Sequence, residues 1–202
     1  MPDILKTIFF LIAVIDPLGS VPVYLEATKQ FSVREKKKTA VKGTVIAAGV
    51  LLFFIIVGQV IMEAMTISLD AFQVSGGVIL FLFALTMIFG EGKPEREKHS
   101  IKDYKHVIVF PIAIPSIASP GAIMAVVMMT DNNLYSIEQQ AMTSVLVMVV
   151  LAITCLLLLA ARFVQERIGE YGITVISKVM GLILASFAAQ SMLSGLKGFF
   201  NL

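Results

Sequence analysis

The stretch Asp16-Pro17-Leu18-Gly19-Ser20-Val21-Pro22 interrupts an apolar segment that runs from Ile4 to about Thr28. A carboxylate, two prolines and a glycine within seven residues break a helix, because proline supplies no N–H and glycine is conformationally free. The 12 residues from Ile4 to Ile15 climb about 18 Å as a helix, a little over half of a ~30 Å hydrocarbon core. If the segment spans a membrane, the break falls near the midplane. Irregular backbone at that depth is tolerated only where protein buries it or a wet cavity borders it. Interruptions of this kind point to binding sites in transporters.

A second interruption lies in the other half of the chain: Pro111-Ile112-Ala113-Ile114-Pro115-Ser116-Ile117-Ala118-Ser119-Pro120-Gly121. Asp16-Pro17 and Ser119-Pro120 are alike. Each places an N-cap residue type before a proline, the pair favoured at a helix start. Each is followed by a further apolar run. Both segments are expected to be helices that stop at mid-membrane and restart. One such segment alone would be read as a proline kink; two in corresponding positions favour a site.

Composition sets the class. Of the 202 residues, 57% are hydrophobic and only 15% charged, against about 45–50% and about 25% in soluble domains. The apolar residues fall in long runs, so the expectation is an all-α polytopic membrane protein with a lipid bilayer as its surroundings. Six spans are expected, at about 4–29, 40–62, 70–90, 107–130, 139–161 and 172–198. The first run is interrupted by Asp16-Pro17 rather than by a small-residue cleavage site, so it is expected to remain as the first span. The connection from Glu91 to Lys105 is polar and carries Gly92 and Pro94, which mark a loop. Short connections are expected at Glu63 to Asp70, from Asp131-Asn132-Asn133 onward, and from Arg162 to Tyr171.

Basic residues set the orientation. The first connection, with Arg34–Lys38 between the first two spans, carries Lys29, Arg34, Lys36, Lys37, Lys38 and Lys42; the third carries Lys93, Arg96, Lys98, Lys102 and Lys105; and the fifth region carries Arg162, Arg167 and Lys178. That is 14 of 16 Lys and Arg; only Lys6 and Lys197 fall on the other side. The positive-inside rule puts these connections in the cytoplasm and both termini outside, in the inner (cell) membrane. The formal charge of +2 gives no indication of nucleic acid.

An internal repeat is also visible. At a shift of 105, Gln73-Val74-Ser75-Gly76 lies over Lys178-Val179-Met180-Gly181, and Gly90 over Gly195; the breaks match at 103, Pro17 over Pro120. The chain is thus expected to be one transmembrane domain, 1–202, built of two three-span repeats (about 1–91 and about 106–202). An odd number of spans inverts the second copy, a common build for secondary transporters. Recurrent use of glycine in membrane helices is the competing explanation of the match.

Within the spans, Asp16 is the one acidic residue placed near the midplane. Such a residue is costly there and usually functional, though it also suits a helix cap. The restarted helices offer N–H groups to an anionic group, and Gly19 and Gly121 leave room beside the backbone. Gly76, Gly77 and Gly181 suit close helix contact. Gln190, in mid-span, needs a partner. The expected substrate-binding residues are Asp16, Pro17, Gly19, Ser20, Ser116, Ser119, Pro120, Gly121 and Gln190, with Asp16 also carrying a coupling proton. Cys155 is isolated, and His99 and His106 lie in or beside the charged connection. No catalytic set, metal set or P-loop is present in the sequence, so an enzyme is not expected, nor a cofactor.

Asp16-Pro-Leu-Gly-Ser-Val-Pro22, Ala71-Phe-Gln-Val-Ser-Gly-Gly-Val78, the stretch from Pro111 to Gly121, and Gly181…Gln190…Gly195 together resemble the MarC family of six-span membrane proteins. The resemblance covers nearly the whole chain. It implies transport of small neutral amino acids such as glycine and alanine, with proton coupling, as in an archaeal-type branch of that family; a role in drug resistance is not implied by the family's name. One departure stands out: Ser119-Pro120-Gly121 where the family pattern is Gly-Pro-Gly. The alternatives are a passive channel, an exporter of another small solute, or a non-transporting scaffold. A second copy of the chain is a further expected partner.

Overall fold

The computed structural model describes residues 4–90 and 104–200. Most of the expected Glu91–Lys105 connection, with Gly92, Pro94, Lys98 and His99, lies outside the described residues. The described residues form helices and contain no strand. The helices are α1 (Ile4–Ile15), α2 (Ser20–Ala27), α3 (Val33–Ala64), α4 (Leu69–Phe89), α5 (Tyr104–Val107), which continues as a wider-turned segment Ile108–Ile117, α6 (Pro120–Met128), α7 (Ile137–Leu159) and α8 (Ala161–Phe200). Five stretches are long and apolar enough to cross a membrane, with α1 and α2 counted as one. The pair Tyr104–Ile117 and Pro120–Met128, bent by 54°, makes up to six.

Large apolar side chains cover the outside, among them Phe53, Ile56, Leu82, Leu156, Leu182 and Leu193. On a water-soluble protein such a coat would be an aggregation hazard; against hydrocarbon it is the expected surface. The α1–α2 stretch is the most enclosed of the five unbent spans. It packs against α6, α7, α8 and the Ile108–Ile117 segment. That segment packs in turn on α3, and α6 on α3 and α4. The two interrupted stretches therefore occupy the interior.

The most extensive contact joins α4 and α8, and glycines set its closeness. A Cβ placed on Gly77 would lie 2.9 Å from the Ala188 carbonyl oxygen and 2.6 Å from Met192 Cγ. One placed on Gly181 would lie 3.2 Å from the Ala84 carbonyl oxygen and 3.1 Å from Ile88 Cγ1. Gly195 meets Asp70 and Val74. Rising numbers on α8 meet falling numbers on α4, so the two helices run antiparallel.

Two expected connections are helical instead. The basic run Arg34–Lys38 forms the first turns of α3, because Ser32 and Glu35 close a reciprocal cap: the Ser32 N–H and hydroxyl donate to Glu35 Oε2 at 2.9 and 2.6 Å, and the Glu35 N–H donates to Ser32 Oγ at 3.4 Å. Most of Arg162–Tyr171 belongs to α8, interrupted at Gly169, whose φ of 75° favours glycine. The Glu63–Asp70 region does turn, through Thr66 at φ 54° and a Ser68 cap on α4.

Candidate functional site

The first interruption covers residues 16–19, between the end of α1 at Ile15 and the start of α2 at Ser20. The Asp16 N–H closes α1 on the Ile12 carbonyl at 2.9 Å. Pro17 disfavours a right-handed helix at the residue before it, and Asp16 takes φ 47°, a left-handed conformation that Asp tolerates better than most residues. The chain then turns back on it: the Ser20 N–H donates to the Asp16 carbonyl at 3.1 Å, and the Gly19 N–H to Asp16 Oδ1 at 3.0 Å. A Cβ on Gly19 would land on the Asp16 carboxylate, meeting Oδ2 first. Glycine is therefore required by contact rather than by dihedral angles, which are right-handed helical there.

The second interruption is longer. Phe110 and Ile114 are extended, each before a cis proline. Helical backbone stops after Ile117, and Ala118 and Ser119 lead into α6. Ser119 Oγ accepts the Ala122 N–H at 3.0 Å, with Pro120 in the first turn. Asp16 with Gly19 and Ser119 with Ala122 share the same i-to-i+3 hydrogen bond, 103 residues apart, although Asp16 is left-handed and Ser119 extended. The hydroxyl that departs from the family pattern is thus a helix cap.

The two interruptions touch. Ser20 Oγ lies 3.1 Å from the Asp16 carbonyl oxygen and 3.1 Å from that of Ser116, so its one proton serves both. From α8, the Ser177 hydroxyl donates to Asp16 Oδ1 at 3.3 Å. Ser177 was not among the expected site residues. Its signal lies in the buried row Ile173, Ser177, Gly181, Leu184, Ala188, Ser191, Gly195, which recurs at helical spacing and whose two polar members are Ser177 and Ser191.

Both donors to Asp16 approach Oδ1. Among the described residues nothing donates to Oδ2, and no cation pairs with the carboxylate. Yet Asp16 is only 3% exposed, Ser20 1%, Ser116 3% and Ser119 0%. A carboxylate so enclosed, with one oxygen lacking a donor, is chemically fitted to accept a proton or an ammonium group.

Not every expected residue joins this group. Pro17 is buried with Asp16, but Pro120 and Gln190 are exposed, and Gln190 falls off the inner row of α8. Above Gly121 the space expected for a ligand is filled by Phe83, whose ring a Cβ would approach to 2.9 Å. A second buried carboxylate, Asp131, follows α6. Its Oδ1 accepts the Asn133 N–H at 2.7 Å, while Oδ2 is buried without a partner. An Asp followed two residues on by Asn at a helix end announces this turn in the sequence.

The model of the MarC family of integral membrane proteins matches residues 1–200. A UPF0056 membrane protein of Methanocaldococcus jannaschii is 33% identical over 92% of both chains. One of Pyrococcus horikoshii is 30% identical over 100% of both, and YvbG of Bacillus subtilis is 30% identical over 94% of this chain and 92% of its own. No solved structure matches. With interrupted, proline-capped helices at its centre and a family match from end to end, the chain belongs to the MarC family of multi-pass integral membrane proteins.

Proposed function

We propose that this protein is a secondary transporter of small neutral amino acids, of glycine and alanine size, working by alternating access with proton coupling. The observation that carries this reading is the enclosed Asp16 carboxylate at the junction of two interrupted helices, its Oδ2 without a donor. Asp16, with Pro17, Gly19 and Ser20, forms one wall of the site and takes the substrate ammonium or the coupling proton. Ser116, Ser119 and Gly121 form the other, and Pro120, exposed, serves only to start α6. First-turn N–H groups of α6 suit the substrate carboxylate once Phe83 moves aside. Gln190 faces outward in this conformation and is left out of the proposed site.

Two three-span repeats, about 1–91 and about 106–202, are inverted in the inner membrane, and the interruptions meet near its midplane. Three features support the inversion: the antiparallel α4–α8 contact, the matched Asp16 and Ser119 caps, and the basic-residue bias. The test is uptake of labelled glycine and alanine into proteoliposomes. Saturable uptake driven by a proton gradient is expected. Unsaturable, gradient-blind flux would point to a channel, and no flux would overturn the transport reading.

A further inference from the structure

We propose that Ser177 is a positioning residue for the Asp16 carboxylate, tying α8 in the second half of the chain to the interruption in the first. The inference rests on the transport reading only for its functional consequence. Its structural basis is the destination of one hydroxyl proton. Serine and threonine in apolar helices ordinarily donate to the carbonyl four residues back. Thr44, Thr130, Ser144, Thr154, Thr174 and Ser186 do so at 2.7 to 3.0 Å. Ser177 does not. Its hydroxyl leaves its own helix and crosses 161 positions of sequence to Asp16 Oδ1 at 3.3 Å, in a buried setting.

The choice of oxygen matters. Gly19 N–H and Ser177 O–H both occupy Oδ1, from opposite ends of the chain. Together they fix the plane of the carboxyl group and leave Oδ2 over Gly19, where no side chain can compete. A single donor from Gly19 would hold one oxygen but leave the group free to swing about it. Ser177 removes that freedom, so Oδ2 is presented in one orientation to a cationic group. Because Ser177 stands on the row of α8 that packs against α4 through Gly181 and Ala188, a shift of α8 changes the carboxylate's surroundings directly. The arrangement favours an ammonium-bearing substrate over an anion of equal size.

The test uses the full-length protein in lipid, with Ser177→Ala, Ser177→Thr and Asp16→Asn compared by infrared difference spectroscopy on aspartate labelled with carbon-13. The bands lost in Asp16→Asn identify the Asp16 carboxyl group. The proposal expects those bands to be displaced in Ser177→Ala and to return to their wild-type position in Ser177→Thr, which keeps the hydroxyl. Unmoved bands in Ser177→Ala would overturn it. In parallel, kcat/KM for labelled glycine uptake is expected to fall roughly tenfold in Ser177→Ala, as for loss of a hydrogen bond to a charged group, and to recover in Ser177→Thr. In an Asp16→Asn background, Ser177→Ala is expected to add nothing. An equal loss in Ser177→Thr and Ser177→Ala, with the bands in place, would show helix packing alone. If wild type carries no glycine or alanine, the transport reading fails while the infrared result still decides on Ser177.

Discussion

Gly77 and Gly181 occupy equivalent positions in a reciprocal contact. Gly77 on α4 faces Ala188 and Met192 of α8, and Gly181 on α8 faces Ala84 and Ile88 of α4. Each of these three pairings, Gly77 with Gly181, Ala84 with Ala188 and Ile88 with Met192, is separated by 104 residues. The contact maps onto itself under a single shift of 104, the relation that the proposed inverted repeat requires. Alignment by residue type alone sets Gly76 over Gly181, one position away.

Substitution should treat the two glycines alike. Gly77→Val and Gly181→Val each force bulk against a backbone carbonyl and are expected to destabilise by about 1–3 kcal/mol, the range for overpacking. Gly49, with nothing within 4 Å of an added Cβ, should accept valine at a cost within about 0.5 kcal/mol. Unfolding midpoints in detergent measure all three. A large loss at Gly49, or none at Gly77, would contradict the packing described.

Gly19→Ala should fail for a different reason. The added methyl meets the Asp16 carboxylate within its own turn, so the carboxylate must leave its cap on the Gly19 N–H. Uptake of labelled glycine is expected to be lost. Replacing Asp16 by alanine as well removes the obstacle, so the stability losses of the single variants should not add. Strict additivity in chemical or thermal unfolding would argue against the contact.

Much of this was readable from residue chemistry, and the limits are instructive. Proline, glycine and cap residue types declare where a helix is interrupted, because those effects are local. They do not say what fills the neighbouring space: Phe83 over Gly121 belongs to another helix. Charge reported on solvent exposure at Arg34–Lys38 but not on conformation, which the Ser32–Glu35 cap decides. Gln190 was expected inside because it is polar and mid-span; its position on α8 lies off the buried row through Gly181, Leu184 and Ala188. Ser177 looked like any helix serine, since only tertiary packing brings it to Asp16.

Ser119 tests a cap. Its oxygen accepts the Ala122 N–H with the side chain wholly buried. Ser119→Ala should cost about 1 kcal/mol, and Ser119→Gly only a few tenths, since glycine is itself acceptable at an N-cap. Thermal midpoints give the order. If glycine proved worse than alanine, the hydroxyl would be doing something other than capping.

Orientation follows from the bias of basic residues. Single cysteines introduced at Lys36 and near Lys197, in a Cys155→Ser background, should label from opposite sides of intact cells with an impermeant maleimide. Lys36 should be protected and Lys197 reactive. Labelling of both from the same side would remove the basis for an inverted repeat.

The sharpest test concerns Asp16 itself. Asparagine keeps Oδ1, so it retains the acceptor for the Gly19 N–H and the Ser177 hydroxyl. It replaces Oδ2, to which no described residue donates, with an amide NH2. The cap survives while the acceptor offered to a proton or an ammonium group becomes a donor. Asp16→Asn should therefore fold, insert and melt close to wild type, yet lose proton-driven uptake of labelled glycine. Asp16→Ala removes the cap as well and should cost about 1 kcal/mol more in stability. The contrast separates the two roles a carboxylate can have at a helix interruption. Wild-type uptake by Asp16→Asn, with coupling to the proton gradient intact, would leave Asp16 as a cap alone and return the binding role to Ser116, Ser119 and the backbone.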